Sequence, residues 1–150
     1  MSKRKYCGDL SESHIGEIIT LYGWVNKVRD HGGVIFVDLR DTKGVIQVVF
    51  NPEEKEIFNI SERLRNEFII KISGKVRARP QDAENKNLSS GSVEIVATEI
   101  EILSEAQTPP YSFDDDVSED VRLKHRFHDL KSKKMQKNII FRSELIKVIR

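Results

Sequence analysis

Apolar and polar residues alternate in separate runs along the first hundred residues, and each run predicts a strand. From Glu17, EIITLYGWVNKVRD sets Ile19, Leu21, Gly23 and Val25 on one face. An interior glycine such as Gly23 predicts a bulge or tight bend of the kind that closes small barrels. In residues 29–50, RDHGGVIFVDLRDTKGVIQVVF, Ile35, Val37 and Leu39 oppose Val34, Phe36, Asp38 and Arg40. Asp41, Thr42, Lys43 and Gly44 make a turn, and Ile46, Val48 and Phe50 then oppose Val45, Gln47 and Val49, so the segment predicts a hairpin. Pairing Arg40 with Val45 sets Asp38 opposite Gln47 and Phe36 opposite Val49, and gathers all six strong apolar side chains on one face.

Asn51 as N-cap, Pro52 at the first helical position and Glu53 and Glu54 at the positive end of the dipole predict a helix over 51–66, with a stripe of Ile57, Ile60 and Leu64. Period two returns as Phe68, Ile70 and Ile72 against Ile69, Lys71 and Ser73, and continues past Gly74 into KVRARP. Residues 80–91, PQDAENKNLSSG, are polar and rich in turn formers, and read as a loop. In SVEIVATEIEIL, Val93, Ile95 and Ala97 oppose Glu94, Val96 and Thr98. Five strands with a helix between the third and fourth is the order of the OB-fold, a mainly β, five-stranded Greek-key barrel whose second and third strands form the ligand face. On that face Phe36, Gln47 and Arg29 would share one open surface, which suits unpaired nucleotide bases. The other reading of Phe36 is a ring packed under a loop.

Composition changes after Glu105. EAQTPPYSFDDDVSED has paired prolines, an acidic run and no periodicity, and reads as an extended linker. From Val121 the chain is basic again, and residues 138–150 carry Phe141, Leu145, Ile146 and Ile149 on one helical stripe. Net charge is +1, but the acids concentrate in DDDVSED, which leaves the first hundred residues more favourable to phosphate than the total suggests. No apolar run is long enough to cross a bilayer, and MSKRKYCGDL has no apolar segment behind its positive charge, so a cytoplasmic protein without membrane association is expected. A single cysteine, Cys7, cannot form an internal disulfide and is expected to be structural.

Other candidate chemistry is thin. His125, His128 and Asp129 lie close in sequence but lack a further ligand at metal spacing, so no metal site is expected. The KSKK run, Lys131–Lys134, could bind phosphate or be a solvated surface. Arg77 and Arg79 share a strand face by alternation, where they could hold a nucleic-acid backbone or sit in water. Gly32 and Gly33 are followed by no helix, and a turn explains them.

In order and at matching spacing, YCGDL, GWVNKVRDHGGVIFVDLRD, GVIQVVFNP, RLRNEFIIKISGKVRARP and VSEDVRLKHRFHDL resemble the N-terminal region of bacterial aspartyl-tRNA synthetase. The resemblance covers essentially the whole chain. It implies an OB-fold anticodon-binding domain at 1–104, a linker at 105–120, and a hinge with the start of a class II catalytic domain at 121–150, where the last helix is similar to the beginning of motif 1. The family attaches L-aspartate to tRNA(Asp) through aspartyl-adenylate, uses ATP and Mg2+, and is a cytoplasmic homodimer. Motifs 2 and 3, which bind ATP and the amino acid, have no counterpart in this sequence, so the 150-residue chain is expected to bind no cofactor, to hold no catalytic residue and to be inactive by itself.

The resemblance also assigns residues. Phe36 would stack on the middle anticodon base and Gln47 would hydrogen-bond it, Glu94 would accept from the first base, a guanine, and Arg29 and Arg79 would contact neighbouring bases and phosphates. Selectivity needs such polar groups because stacking tolerates any base. The linker departs from the family pattern at His125 and His128, where an aromatic and a leucine are usual, and in KSKK, where paired arginines and a proline are usual. Three positions bear on which tRNA is accepted. Enzymes restricted to aspartate tRNA tend to have leucine at the position of His31, and lysine then asparagine at those of Asp82 and Ala83, so this chain implies a partner range of tRNA(Asp) together with tRNA(Asn). Two rival readings are a free-standing OB module for single-stranded nucleic acid and a related asparaginyl- or lysyl-tRNA synthetase.

Overall fold

The alternating runs form five strands: β1 (Ile18–His31), β2 (Val34–Arg40), β3 (Val45–Phe50), β4 (Ile69–Ala78) and β5 (Val93–Ser104). They close into a barrel in the order β1-β2-β3-β5-β4, with β3 and β5 parallel and the other pairs antiparallel. Helix α1 (Lys55–Ser61) lies between β3 and β4, which completes the OB-fold. The computed structural model describes residues 4–80, 83–85, 88–113 and 115–150. The chain divides into two compact units, Met1–Thr108 and Pro109–Arg150.

The hairpin has the expected register, with Arg40 opposite Val45, Asp38 opposite Gln47 and Phe36 opposite Val49. Ile35, Val37, Leu39, Ile46, Val48 and Phe50 all enter the core. A two-residue turn at Gly32 and Gly33, both at positive φ, joins β1 to β2, and glycine takes that backbone at no steric cost. Asp41 organises the other turn: Oδ1 accepts from the backbone N–H of Lys43 and Gly44, and Oδ2 from that of Cys7. That last bond fastens the N-terminal segment to the hairpin. Burial, with Asp41 beside it, pushes the Cys7 thiol pKa well above its ordinary value.

Gly23 serves a purpose other than the expected bulge. A Cβ there would lie 2.5 Å from the carbonyl oxygen of Arg40, so the glycine permits close approach of two strands. The irregularity comes later, between Val25 and Lys27, after β1 has passed from its pairing with β4 (18–24) to its pairing with β2 (24–31). Val25 marks that transfer by exchanging backbone bonds with Phe68 and Glu67.

The helix is shorter than the expected 51–66. Residues 51–54 form a turn, with the N–H of Glu54 on the carbonyl of Asn51, and the helix begins at Lys55. At its other end the Ser61 hydroxyl donates to the Phe58 carbonyl at 2.7 Å, and Arg63, Leu64 and Phe68 each bond a carbonyl three residues back. These tight turns replace helical bonds and bring Leu64 and Phe68 into the core. Phe58 packs against the core beside Ile57, a position outside the expected stripe.

In the second unit, α2 (Glu119–Lys124), α3 (Arg126–Asp129) and α4 (Lys133–Ile149) follow one another. The last begins five residues before the expected Asn138, because the Ser132 hydroxyl caps it by accepting from the N–H of Met135. His128 is buried: its Nε2 donates to the Tyr111 carbonyl at 2.9 Å and its ring stacks on Phe113. His125 meets the edge of Phe127. These histidines pack and hydrogen-bond within this unit. Among the described residues no helix is long and apolar enough to cross a membrane.

Candidate nucleic-acid interface

Strand register alone lines up a polar row around the outside of the barrel. Asp38 on β2 is the lateral partner of Gln47 on β3, Gln47 of Glu94 on β5, and Glu94 of Arg77 on β4. One step along the strands runs a second row in which Arg29 on β1 partners Phe36, and Phe36 partners Val49. The polar row is chemically continuous. Arg29 Nη2 donates to Asp38 Oδ1 at 2.5 Å and to Gln47 Oε1 at 3.2 Å. Gln47 Nε2 donates to Glu94 Oε2 at 2.7 Å, and Arg77 Nε donates to Glu94 Oε1 at 2.7 Å.

Burial makes this row more than a surface ladder. Glu94 is 2% exposed and Gln47 7%, so each would be costly to leave unpaired. Val49, assigned to the open face by alternation, is buried as well. Phe36 remains half-buried, with the His31 ring set edge-on at a centroid distance of 6.0 Å.

An open cleft of about 390 Å³ lies over these rows, lined by Arg29, His31, Phe36, Gln47, Arg79, Ala83, Glu84 and Asn85. Six of the sequence-derived residues therefore line one cleft, and Glu94 is hydrogen-bonded to one of them, Gln47. Asp82 lies outside the described residues. Arg79, just past the end of β4, is buried, donating from Nε to the Val93 carbonyl and from Nη1 to that of Ala83. Burial lowers its pKa from the ordinary value, with Glu94 and Asp38 opposing. Arg79 Nη2 and Arg29 Nε are buried donors with no partner among the described residues. The face thus combines an aromatic platform, two guanidinium groups and an amide, groups that stack on bases and bond their edges or phosphates.

Arg77 and Arg79 do different things despite sharing a strand parity. Arg77 is half exposed and pairs with Glu94, whereas Arg79 is turned into the protein. Sequence reasoning gave no role to Asp38, which holds Arg29, or to Glu84 and Asn85, which line the cleft. The Asp38–Gln47 register was a usable signal for the first. Alternation carries no signal for residues on an irregular loop.

Comparison with known proteins agrees with the fold. An aspartate–tRNA(Asp/Asn) ligase from Endomicrobium trichonymphae is 49% identical over 152 residues, which covers 100% of this chain and 26% of that protein. The chain thus spans about a quarter of that relative's length. The aspartyl-tRNA synthetase of Entamoeba histolytica superposes with a TM-score of 0.80 at 22% identity, covering 89% of this chain and 33% of that one. Asparaginyl-tRNA synthetase from Pyrococcus horikoshii, complexed with asparaginyl-adenylate, gives 0.76 at 23% identity over 89% and 30%. At these identities the two structures speak for the fold. The tRNA anticodon family, described as an OB-fold nucleic acid binding domain, matches residues 19–103. That is more than half of the sequence, and the chain belongs to this family.

Proposed function

We propose that the chain is the anticodon-binding part of an aspartate–tRNA ligase that charges both tRNA(Asp) and tRNA(Asn). The observation that carries this reading is 49% identity over the whole chain to an aspartate–tRNA(Asp/Asn) ligase. The cleft supports it. Phe36 stacks on the middle anticodon base, Gln47 bonds its edge, and Arg29 and Arg79 reach neighbouring bases and phosphates; Glu94, 2% exposed and with its two oxygens on Gln47 and Arg77, accepts from the first base by exchanging one of those bonds. His31 and Ala83 line the same cleft, and Ala83 has no side-chain group to bond a base edge. A site without such a polar partner rejects the wrong base poorly. Asp82 belongs to the same proposed determinant.

The parent enzyme on this reading is a cytoplasmic class II homodimer using ATP and Mg2+ to form aspartyl-adenylate, with residues 1–104 as the anticodon domain, 105–120 as linker and 121–150 as hinge and start of the catalytic domain. The asparagine product would be left for an amidotransferase to correct. Charging of the two tRNAs by the full-length parent tests the reading. Comparable rates, with His31→Leu depressing only the asparagine tRNA, are expected. Strong rejection of tRNA(Asn) by the unmodified enzyme overturns the dual specificity.

A further inference from the structure

Gln47 is proposed above to read a base, and an amide can do so selectively only if its oxygen and nitrogen are held in fixed places. A primary amide presents both a donor and an acceptor, and rotation by half a turn exchanges them. The structure contains groups that set this orientation. Glu94 Oε2 only accepts, and it faces Gln47 Nε2 at 2.7 Å. Arg29 only donates, and its Nη2 faces Gln47 Oε1 at 3.2 Å. Turning the amide over would set oxygen against carboxylate and N–H against guanidinium, both repulsive. One N–H and one lone pair of Gln47 then remain for the cleft, in a fixed order.

This arrangement depends on a residue that makes no contribution to the cleft lining. Glu94 is almost fully buried, and its second oxygen is held by Arg77 at 2.7 Å from the neighbouring strand. Without that cation the carboxylate would lose its hydrogen-bonded charged partner, and a buried charge left without one is costly. The other nearby guanidinium, Arg79, interacts with Glu94 through charge while its Nε and Nη1 bond backbone carbonyls. We infer that Arg77 is a positioning residue: by fixing Glu94 it fixes the Gln47 amide, and so sets which base edge is accepted at the middle anticodon position.

The inference rests on the anticodon reading above and makes it sharper. Uracil, the middle base of both aspartate and asparagine anticodons, presents N3–H beside a carbonyl oxygen. Cytosine presents a bare N3 beside an amino group, the reverse order. A fixed amide matches one of these, and a rotating amide matches both.

The test measures binding of two anticodon stem-loops, with U or C at the middle position, to the 150-residue chain and its Arg77→Met, Arg77→Gln and Arg77→Lys variants. In parallel, NMR of the free proteins follows the Gln47 side-chain amide protons. The unmodified chain is expected to prefer U. Arg77→Met and Arg77→Gln should retain affinity for the U stem-loop within about threefold while the U-to-C preference falls about tenfold, the worth of a hydrogen bond or two. The Gln47 amide proton bonded to Glu94 should lose its downfield shift and its protection from exchange in those variants. Arg77→Lys, which keeps a cation near Glu94, should retain both the preference and the protected signal. An unmodified chain with no U preference overturns the anticodon reading, and this inference with it. An intact preference in folded Met or Gln variants overturns the Arg77 role alone. Equal weakening toward both stem-loops makes Arg77 a phosphate contact and also overturns it, as does a loss that lysine fails to restore.

Discussion

Phe36→Ala separates the binding face from the barrel that supports it. Its strand neighbours Ile35 and Val37 point into the core and are 4% and 0% exposed, whereas Phe36 stands on the opposite face, half-buried. Truncation there opens no core cavity. What it removes is a cross-strand contact with Val49 and Arg29 and an edge contact with His31. Each such pair contributes about 0.2–1 kcal/mol, so the three together cost about 0.6–3 kcal/mol, and for a barrel of about 100 residues each kcal/mol lowers the melting temperature by about 4–8 °C. Loss of base stacking is worth about 1–3 kcal/mol, a roughly 5- to 150-fold weaker complex. Binding should therefore fall while the barrel stays folded and unfolds cooperatively. Fluorescence titration of a labelled anticodon stem-loop, with thermal unfolding of the same samples, gives both quantities. Unchanged affinity in a folded variant would refute the assignment of this face, and a collapse in melting temperature would show that Phe36 is a core residue after all.

Three other outcomes follow from particular contacts. Gly23→Ala places a methyl group 2.5 Å from the Arg40 carbonyl, so the strands must separate, and a loss of about 1–3 kcal/mol should appear as a lower urea midpoint. The Cys7 thiol is raised in the folded chain, so the unfolded chain releases its proton first as pH rises; its contribution is complete below the unfolded pKa of about 8.5 and declines above it by up to about 1.4 kcal/mol per pH unit, a slope that Cys7→Ala should remove from urea unfolding between pH 8 and 10. The 150-residue chain contains no counterpart of class II motifs 2 and 3, so aspartate-dependent pyrophosphate exchange by the pure chain should be undetectable, and any exchange above a no-protein control would contradict this.

The barrel was legible because its strands are half-buried, and a half-buried strand writes its fold in period two. Register was legible too, since Arg40 opposite Val45 is the pairing that unites six apolar side chains. What period two misses is any residue buried on the outer face. Val49 counts as exposed by alternation, and Glu94 as a surface acid, yet both are buried. Helix signals around Asn51 and Pro52 misplaced the start, since residues 51–54 form a turn and the helix begins at Lys55, and at the other end the Ser61 hydroxyl and tight turns end it early. Propensity fixes neither. Gly23 was rightly singled out, and what the sequence did not show is its close approach to Arg40, a contact between strands that a single run cannot display.

The internal bonding of the polar row bears on how such a face can bind at all. In the free chain Gln47, Glu94 and Arg29 already hold one another, with Asp38 and Arg77 at the ends. A base that replaces one of these bonds with an equivalent bond gains little, since one hydrogen bond is exchanged for another. A base with the wrong edge leaves a nearly buried amide or carboxylate unmatched, and that is expensive. The row is therefore suited to discriminate more than to attract. Attraction falls to the exposed side of the Phe36 ring and to the positive charge of Arg29 and Arg79, which line the same cleft. On the proposed anticodon reading, this division would have Phe36 and the two arginines set affinity across all sequences, and Gln47 and Glu94 the differences between sequences.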